Sequence, residues 1–375
     1  FVSFLCASLC HTRPVATADD LISLFNDATG NTLKTDVEVI ADLDFSSSNL
    51  TLPLGAFSNG TCVAFSGVFQ GNGHSIKSLK MNNQNNEGYK HAGLFCSLKN
   101  ATVENIIIDS SCSFTGYSAG TLSVSVNGSS TVKHTTNYAA VSGTENVGGF
   151  IGYVEGLKQP TVTSFEDCVN NGNVTGSGYD VGGFVGNMIE NTNMTITISN
   201  SINCGDVTGS GQHIGGFVGH ISDNTNMNTT ISNSTNNGNV NGSMNDVGGF
   251  VGYIRNNANL VMAFSHLVNN GNVTGNFDSV GGFVGIVCDT ENVTVTVMDL
   301  TNNGNITGRD NIGGFFGHIW SNINTAMTVS NSINNGNATG RSFVGGFVGR
   351  IWFISDSYSI TLEIMNSVNK GSVSS

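Results

Sequence analysis

The chain has 375 residues, 49 of them Gly and only 3 Pro, with 10% charged residues and a formal net charge of −13. Gly is nearly twice and charge less than half of their usual shares, and 13 Lys and Arg in all exclude nucleic-acid binding by phosphate neutralisation. With 38% hydrophobic residues and 22 Phe the chain is no disordered tail, and no apolar run approaches the ~20 residues of a transmembrane helix.

The chain opens on Phe1-Val2-Ser3-Phe4-Leu5-Cys6-Ala7-Ser8-Leu9-Cys10 and reaches Ala16-Thr17-Ala18 just before Asp19. An apolar run ending in small-x-small reads as the rear of a secretory signal peptide, residues 1–18, cut after Ala18. The competing reading is a buried first strand. From residue 92 the chain repeats itself. Gly148-Gly149-Phe150-Ile151-Gly152 returns as Gly-Gly-Phe-x-Gly starting at Gly182, Gly215, Gly248, Gly281, Gly313 and Gly345, at spacings of 34, 33, 33, 33, 32 and 32 residues. A second block, Asn170-Asn171-Gly172-Asn173-Val174-Thr175-Gly176, recurs with Asn203, Asn236, Asn269, Asn302, Asn334 and Asn369 in the place of Asn170. Degenerate copies begin at Ala92 and Ala119, so about nine units fill residues 92–375. Lys370–Ser375 lies inside a copy, and the repeat is expected to run on beyond it.

A period near 33 also suits helical repeats, but several Gly and a cluster of Asn per unit make poor helices. Alternation as in Val293-Thr294-Val295-Thr296-Val297 reads as half-buried strand instead. Each unit yields three short strands, near 149–155, 162–169 and 173–175 in the first full copy. Identical strands stacked coil on coil give an all-β, right-handed parallel β-solenoid.

Equivalent residues then form columns. Phe150, Phe184, Phe217, Phe250, Phe283, Phe315 and Phe347 are placed inward, sharing parity with Gly152, which is expected to make room for the rings. Val154, Phe165 and Val174 head three further inward columns. The Asn170 column and the Asp167/Asn200/Asn233/His266/Asp299/Asn331/Asn366 column read as internal hydrogen-bonded ladders, with a ligand-binding Asn row as the alternative.

Gly-Gly-Phe-Val-Gly boxes spaced with Asn-x-Gly-x-Val-x-Gly resemble the GLUG repeats of bacterial and protist surface proteins. Asp19–Leu24, Ile40–Phe45, Leu52–Gly55 and Phe65–Ile76 look like the opening module that precedes such repeats, which makes residues 19–91 a capping lead-in and 92–375 the solenoid. The resemblance implies a secreted or surface-exposed solenoid of adhesin-like or cell-wall-associated proteins. Phe stands where the family usually has Leu. The family brings no catalytic residues.

Chemistry is sparse. Cys6 and Cys10 fall in the leader, leaving Cys62, Cys96, Cys112, Cys168, Cys204 and Cys288, among which Cys96 can bridge to Cys112 or Cys62. Thirteen Asn-x-Ser/Thr sequons are about what chance gives in so Asn-rich a chain. His220 and His318 share a column three coils apart and cannot share a metal. Asp278 and Asp310 stack on adjacent coils beside Arg309 and Arg341, with Asp246 displaced by one position. Such carboxylates could hold Ca2+ or act as an acid/base pair on a polysaccharide, or form a turn-edge salt-bridge row. Ile151, Val185, Val218, Val251, Val284, Phe316 and Val348 take outward parity. With Tyr153, Tyr253, His318, Trp320 and Trp352 they form an apolar, aromatic binding face, unless the Asn-rich loops at 155–161 and equivalents cover it.

The reading is a non-catalytic secreted or cell-surface solenoid, an adhesin or spacer binding extracellular glycans or surface proteins, without a resident cofactor. The alternative is a carbohydrate-active solenoid using Asp278, Asp310 and Arg309. Ice binding by flat Thr rows is weaker, since Val261 and Ala263 interrupt them.

Overall fold

The computed structural model describes residues 12–26, 32–156, 159–353 and 359–375. It is a right-handed parallel β-solenoid of about 33 residues per turn. One coil shows the plan: Thr161–Glu166, Val174–Gly176 and Val185–Ile189 are its three main strands, joined by two-residue strands at Val169–Asn170 and Val181–Gly182. Each pairs in parallel with its equivalent in the next coil, Phe165 opposite Ile198, Val174 opposite Val207 and Met188 opposite Ile221. The register never slips, because a one-residue shift would turn every inward side chain outward.

The largest sheet has twelve strands and starts with Arg13–Val15 and Val37–Val39, so the segment before residue 92 lies in the same sheets as the repeats. The apolar run of the expected leader, residues 1–11, lies outside the described residues. A helix, Ala18–Asn26, closes the first coil with Leu21 and Phe25 buried, Phe25 packing on Phe65 and Phe95. Its start is fixed by a reciprocal cap: Asp20 N donates to Thr17 Oγ1 (3.2 Å) and Thr17 N to Asp20 Oδ2 (2.9 Å).

The Phe column points inward as expected, with six of its seven rings essentially inaccessible. Successive rings lie 4.6–5.3 Å apart and stack in parallel from Phe184 to Phe283, matching the spacing of paired strands. The columns headed by Val154, Phe165 and Val174 are buried too, down to the last coil, where Ile351, Ile364 and Val373 are exposed.

The next column departs from the expectation. Ile151, Val185, Val218, Val251, Val284 and Phe316 are also buried, at 1% exposure or less, instead of facing outward. The N–H groups of both Phe184 and Val185 donate to the single carbonyl of Phe217, at 2.9 and 3.0 Å. The chain turns there by one residue, and strict alternation resets.

The glycines of the box make room for backbone rather than for rings. A Cβ on Gly182 would lie 2.0 Å from Val185 O, and one on Gly183 would lie 2.1 Å from Gly216 O. On Gly186 it would meet Val147 N at 2.5 Å, because the segment entering the neighbouring coil crosses over the outer face of this strand. These crossing segments form a seven-stranded sheet that begins at Val147–Gly148, where the full box first appears.

The Asn170 column is an internal ladder. Each Nδ2 donates to the Oδ1 of the next Asn, from Asn137 through Asn170, Asn203, Asn236, Asn269, Asn302 and Asn334, at 2.7–2.9 Å. The Asp167/Asn200 column is not internal. Its members sit on surface corners at φ of 47–56°, where Asn and Asp are tolerated for their left-handed backbone. A second buried ladder, Asn191–Asn224–Asn257, runs through the Asn-rich loops, at 2.9 Å per step. Those loops therefore bridge two sheets and do not fold over the box.

Candidate functional site

The sequence offers two groups of candidate residues, and the structure treats them differently. Asp278, Arg309, Asp310 and Arg341 form an alternating ion-pair row. Arg309 reaches Asp278 at 3.0 Å and Asp310 at 3.3 Å, and Arg341 reaches Asp310 at 2.6 Å. The Arg341 hydrogen bond holds the Asp310 carboxyl below the usual carboxylate range, so it stays ionised rather than poised to donate a proton. Each guanidinium thus occupies the space beside a carboxylate that a cation or a sugar oxygen would need. Asp246 is not part of this row, since it turns inward.

The expected aromatic face is largely covered. Tyr253 and His318 are only 9% and 7% exposed, and Tyr153 and Trp320 are half-buried. The cover comes from the residues that open each crossing segment, Asn146, Asp180, His213, Asp246, Ser279 and Asn311, all at φ between 52° and 66°. Asn146 and Asp180 accept from Asn187, and His213 lies against His220 and Tyr253. Burial, helped by the nearby Arg350 charge, pushes the His318 imidazole down to about 4. Tyr253 with Ile286 and Cys288 forms a small separate core against Trp320, and burial raises the Cys288 thiol to about 12. Trp352 is open, stacked 6.1 Å from Trp320 and carrying Arg350 over its ring.

Where these residues meet, the structure assembles a polar cluster that the sequence hides. Asp180 Oδ1 lies 2.7 Å from His213 Nδ1 and 3.1 Å from His220 Nδ1. Asn187 Nδ2 donates to Asp180 Oδ2 at 2.9 Å. His213 stacks flat on Tyr253, with ring centroids 4.2 Å apart, and its Nε2 lies 4.0 Å from Asp246 Oδ2. Burial raises the Asp180 carboxyl, but the His213 hydrogen bond and the close His220 imidazole outweigh it and leave it below its ordinary value. For Asp246 burial outweighs the hydrogen bond from Ser279 and, with the nearby Asp278 charge, pushes it up to about 7. Burial likewise lowers His213. Reading the column just before Val181 from coil to coil would have aligned Asp180, His213 and Asp246. That His220 folds against them depends on the crossing segments, which leave no periodic mark.

The turn between Val174–Gly176 and the crossing segment, residues 177–180 and equivalents, varies from coil to coil. It exposes Tyr179, Met244, Phe277 and Phe343, at 39–52%. Arg309 lies 4.7 Å over the Phe277 ring and Arg350 4.3 Å over Phe343, which joins this edge to Trp352. Among the described residues the cysteines resolve as a Cys62–Cys96 disulfide, with Cys112, Cys168 and Cys288 free and buried and Cys204 free and exposed.

No protein family and no curated protein matches the sequence significantly. Among solved structures, the chain is similar to a Bacteroides ovatus protein provisionally described as an immunoglobulin A1 protease, at 15% identity and a TM-score of 0.50 over 78% of this chain and 83% of that one. It also aligns with the SRRP of L. reuteri 53608, at 12% identity and a TM-score of 0.30 over 96% and 99% of the two chains. The first likeness bears on architecture alone, and the second is too weak to carry an argument. What is established is the architecture of a β-solenoid repeat protein.

Proposed function

We propose that the protein is a non-catalytic scaffold of the cell surface or extracellular space that binds glycans along the edge running past Tyr179, Met244 and Phe277 towards Phe343 and Trp352. The observation that carries this reading is the row of exposed rings and apolar side chains, Tyr179, Met244, Phe277 and Phe343, at equivalent turns of the coils. Flat apolar faces beside uncharged amides and hydroxyls suit the alternating apolar and hydroxyl surfaces of sugar rings. The Cys62–Cys96 disulfide supports an oxidising compartment, and the repeat resemblance supports the surface setting.

The test is an array of neutral and acidic oligosaccharides followed by calorimetry on the best binder. Saturable binding that Phe277→Ala with Tyr179→Ala weakens at least about tenfold is the expected result. No saturable binding, or binding indifferent to both substitutions, overturns the reading. Release of new reducing ends that Asp310→Asn abolishes would establish the carbohydrate-active alternative instead.

A further inference from the structure

We propose that Asp180, His213 and His220 form a binding site for one first-row divalent cation, and that Zn2+ is the ion their chemistry fits. One oxygen of Asp180 and the Nδ1 atoms of two imidazoles converge, and the three candidate ligand atoms lie within 4.8 Å of one another. Ligand atoms bound to Zn2+ at about 2.0–2.2 Å sit roughly 3.3–3.6 Å apart around a tetrahedral centre, so the observed 2.7 and 3.1 Å need to open by less than about 1 Å.

A second, independent observation comes from His220. Both of its ring nitrogens are buried without a hydrogen-bond partner, Nδ1 facing Asp180 out of hydrogen-bond alignment. Unpartnered buried nitrogens are costly, and a cation between Nδ1 and Asp180 removes that cost at one of them. Asn187 Oδ1, on the residue that bonds Asp180, is also buried and unpartnered.

The surroundings are those of a supported site. Asn187 Nδ2 holds one Asp180 oxygen and leaves the other for the ion. Asp246 lies on the far Nε2 side of His213, and the Tyr253 ring fixes the plane of that imidazole. Two imidazoles and one carboxylate are too nitrogen-rich for Ca2+ or Mg2+ and lack the thiolate that Cu(I) favours. With side chains 11–14% exposed, the site is closed enough to exclude bulk water but reachable by an ion. The ion would tie two successive coils, since Asp180 belongs to one and both histidines to the next.

The experiment titrates Zn2+ into the chelator-stripped, untagged chain against a chromophoric competitor, and records the visible spectrum with Co2+. One Zn2+ per chain is expected, with the intense bands of four- or five-coordinate Co2+. His220→Ala should weaken Zn2+ binding at least about 100-fold, more than the loss of an outer partner costs. His266→Ala, which removes an exposed histidine paired with Asp299, should leave binding unchanged. Hydrogen exchange over residues 214–222 shows whether the His220→Ala coil is intact. The proposal fails if the wild-type chain takes up no stoichiometric Zn2+, if binding survives His220→Ala, or if Co2+ shows only its six-oxygen spectrum. The Co2+ result stands on the wild-type protein and decides the matter even if the variant misfolds.

Discussion

The Asn170 column and the neighbouring Asn237–Asn270–Asn303 column are Asn ladders with the same bond between side chains, the first inside and the second outside, and the difference between them is measurable. Asn236 Nδ2 donates to Gly238 O and to Asn269 Oδ1, both at 2.9 Å, and Asn236 Oδ1 accepts from Asn203 at 2.8 Å. Asn236→Ala therefore orphans an N–H of Asn203, the Oδ1 of Asn269 and the carbonyl of Gly238, all in a fully buried row. At about 1–3 kcal/mol for each buried unsatisfied group, the expected loss is about 4 kcal/mol. Asn270 lies in the outer ladder, bonded to Asn237 and Asn303 at 2.8 Å, but water can replace both bonds. Asn270→Ala should cost less than about 1 kcal/mol. Because coils need not unfold together, native-state hydrogen exchange is the suitable assay. The Asn237 amide, bonded to Asn203 O, should exchange about a thousandfold faster in Asn236→Ala and less than about tenfold faster in Asn270→Ala. Asn236→Asp should be worse at neutral pH, since a carboxylate has no proton for Gly238 O or Asn269 Oδ1, and should partly recover on acidification. If the two alanine variants speed exchange within about threefold of each other, burial is not what gives the inner ladder its worth.

A pH effect follows from His318, whose imidazole is held at about 4 by burial and by Arg350. An unfolded histidine titrates near about 6.5, so below that pH the unfolded chain binds a proton that the folded chain refuses. Stability is fully present above about pH 6.5 and falls as pH drops towards 4, by at most about 3 kcal/mol. Thermal melts across that window should show the loss in the wild type and a shallower profile in His318→Gln. Gly182→Ala places a Cβ 2.0 Å from Val185 O, with Phe217 O and Gly219 N both at 2.8 Å. No flexible side chain can yield there, and a loss of at least about 3 kcal/mol in chemical denaturation is expected.

The period, the three main strands, the inward Phe column and the Asn170 ladder are legible in the sequence because each is a strict repeat of one residue type at one position. What is not legible depends on backbone geometry without a residue signature. The sharing of the Phe217 carbonyl by Phe184 and Val185 breaks alternation, and with it the outward reading of the Val185 column and of the face drawn from it. The crossing strand Val181–Gly182 is two residues long and leaves no alternation to detect. The Asn200 column looked internal because Asn serves two purposes, amide bonding and left-handed corners, and the sequence alone does not separate them. His213 and His220 meet Asp180 through that same crossing strand. The cap helix was missed although Thr17 and Asp20 carry the start signal, because the small residues before Asp19 invited a cleavage-site reading.

The distribution of sequence variation itself argues for where recognition resides. The inward positions are filled by the stacked core, and at the box glycines of successive full boxes an added Cβ would strike backbone at 1.9–2.6 Å, so successive coils are interchangeable there and can distinguish nothing. The turn after Val174–Gly176 carries that constraint at Gly178 and Gly211 and leaves its other positions to vary. It has four residues at 276–279 and three at 309–311, which accounts for the drop in repeat spacing from 33 to 32. Its side chains run from Tyr179 and Gln212 through Met244 and Phe277 to Arg309, Arg341 and Phe343. A ligand lying along this edge meets a different side chain at every coil and has one register, whereas on the uniform sheets it could slide by a coil without penalty. Specificity, if the solenoid binds with any, must therefore come from this edge, and removing its rings should abolish selection between ligands before it disturbs a single ladder hydrogen bond.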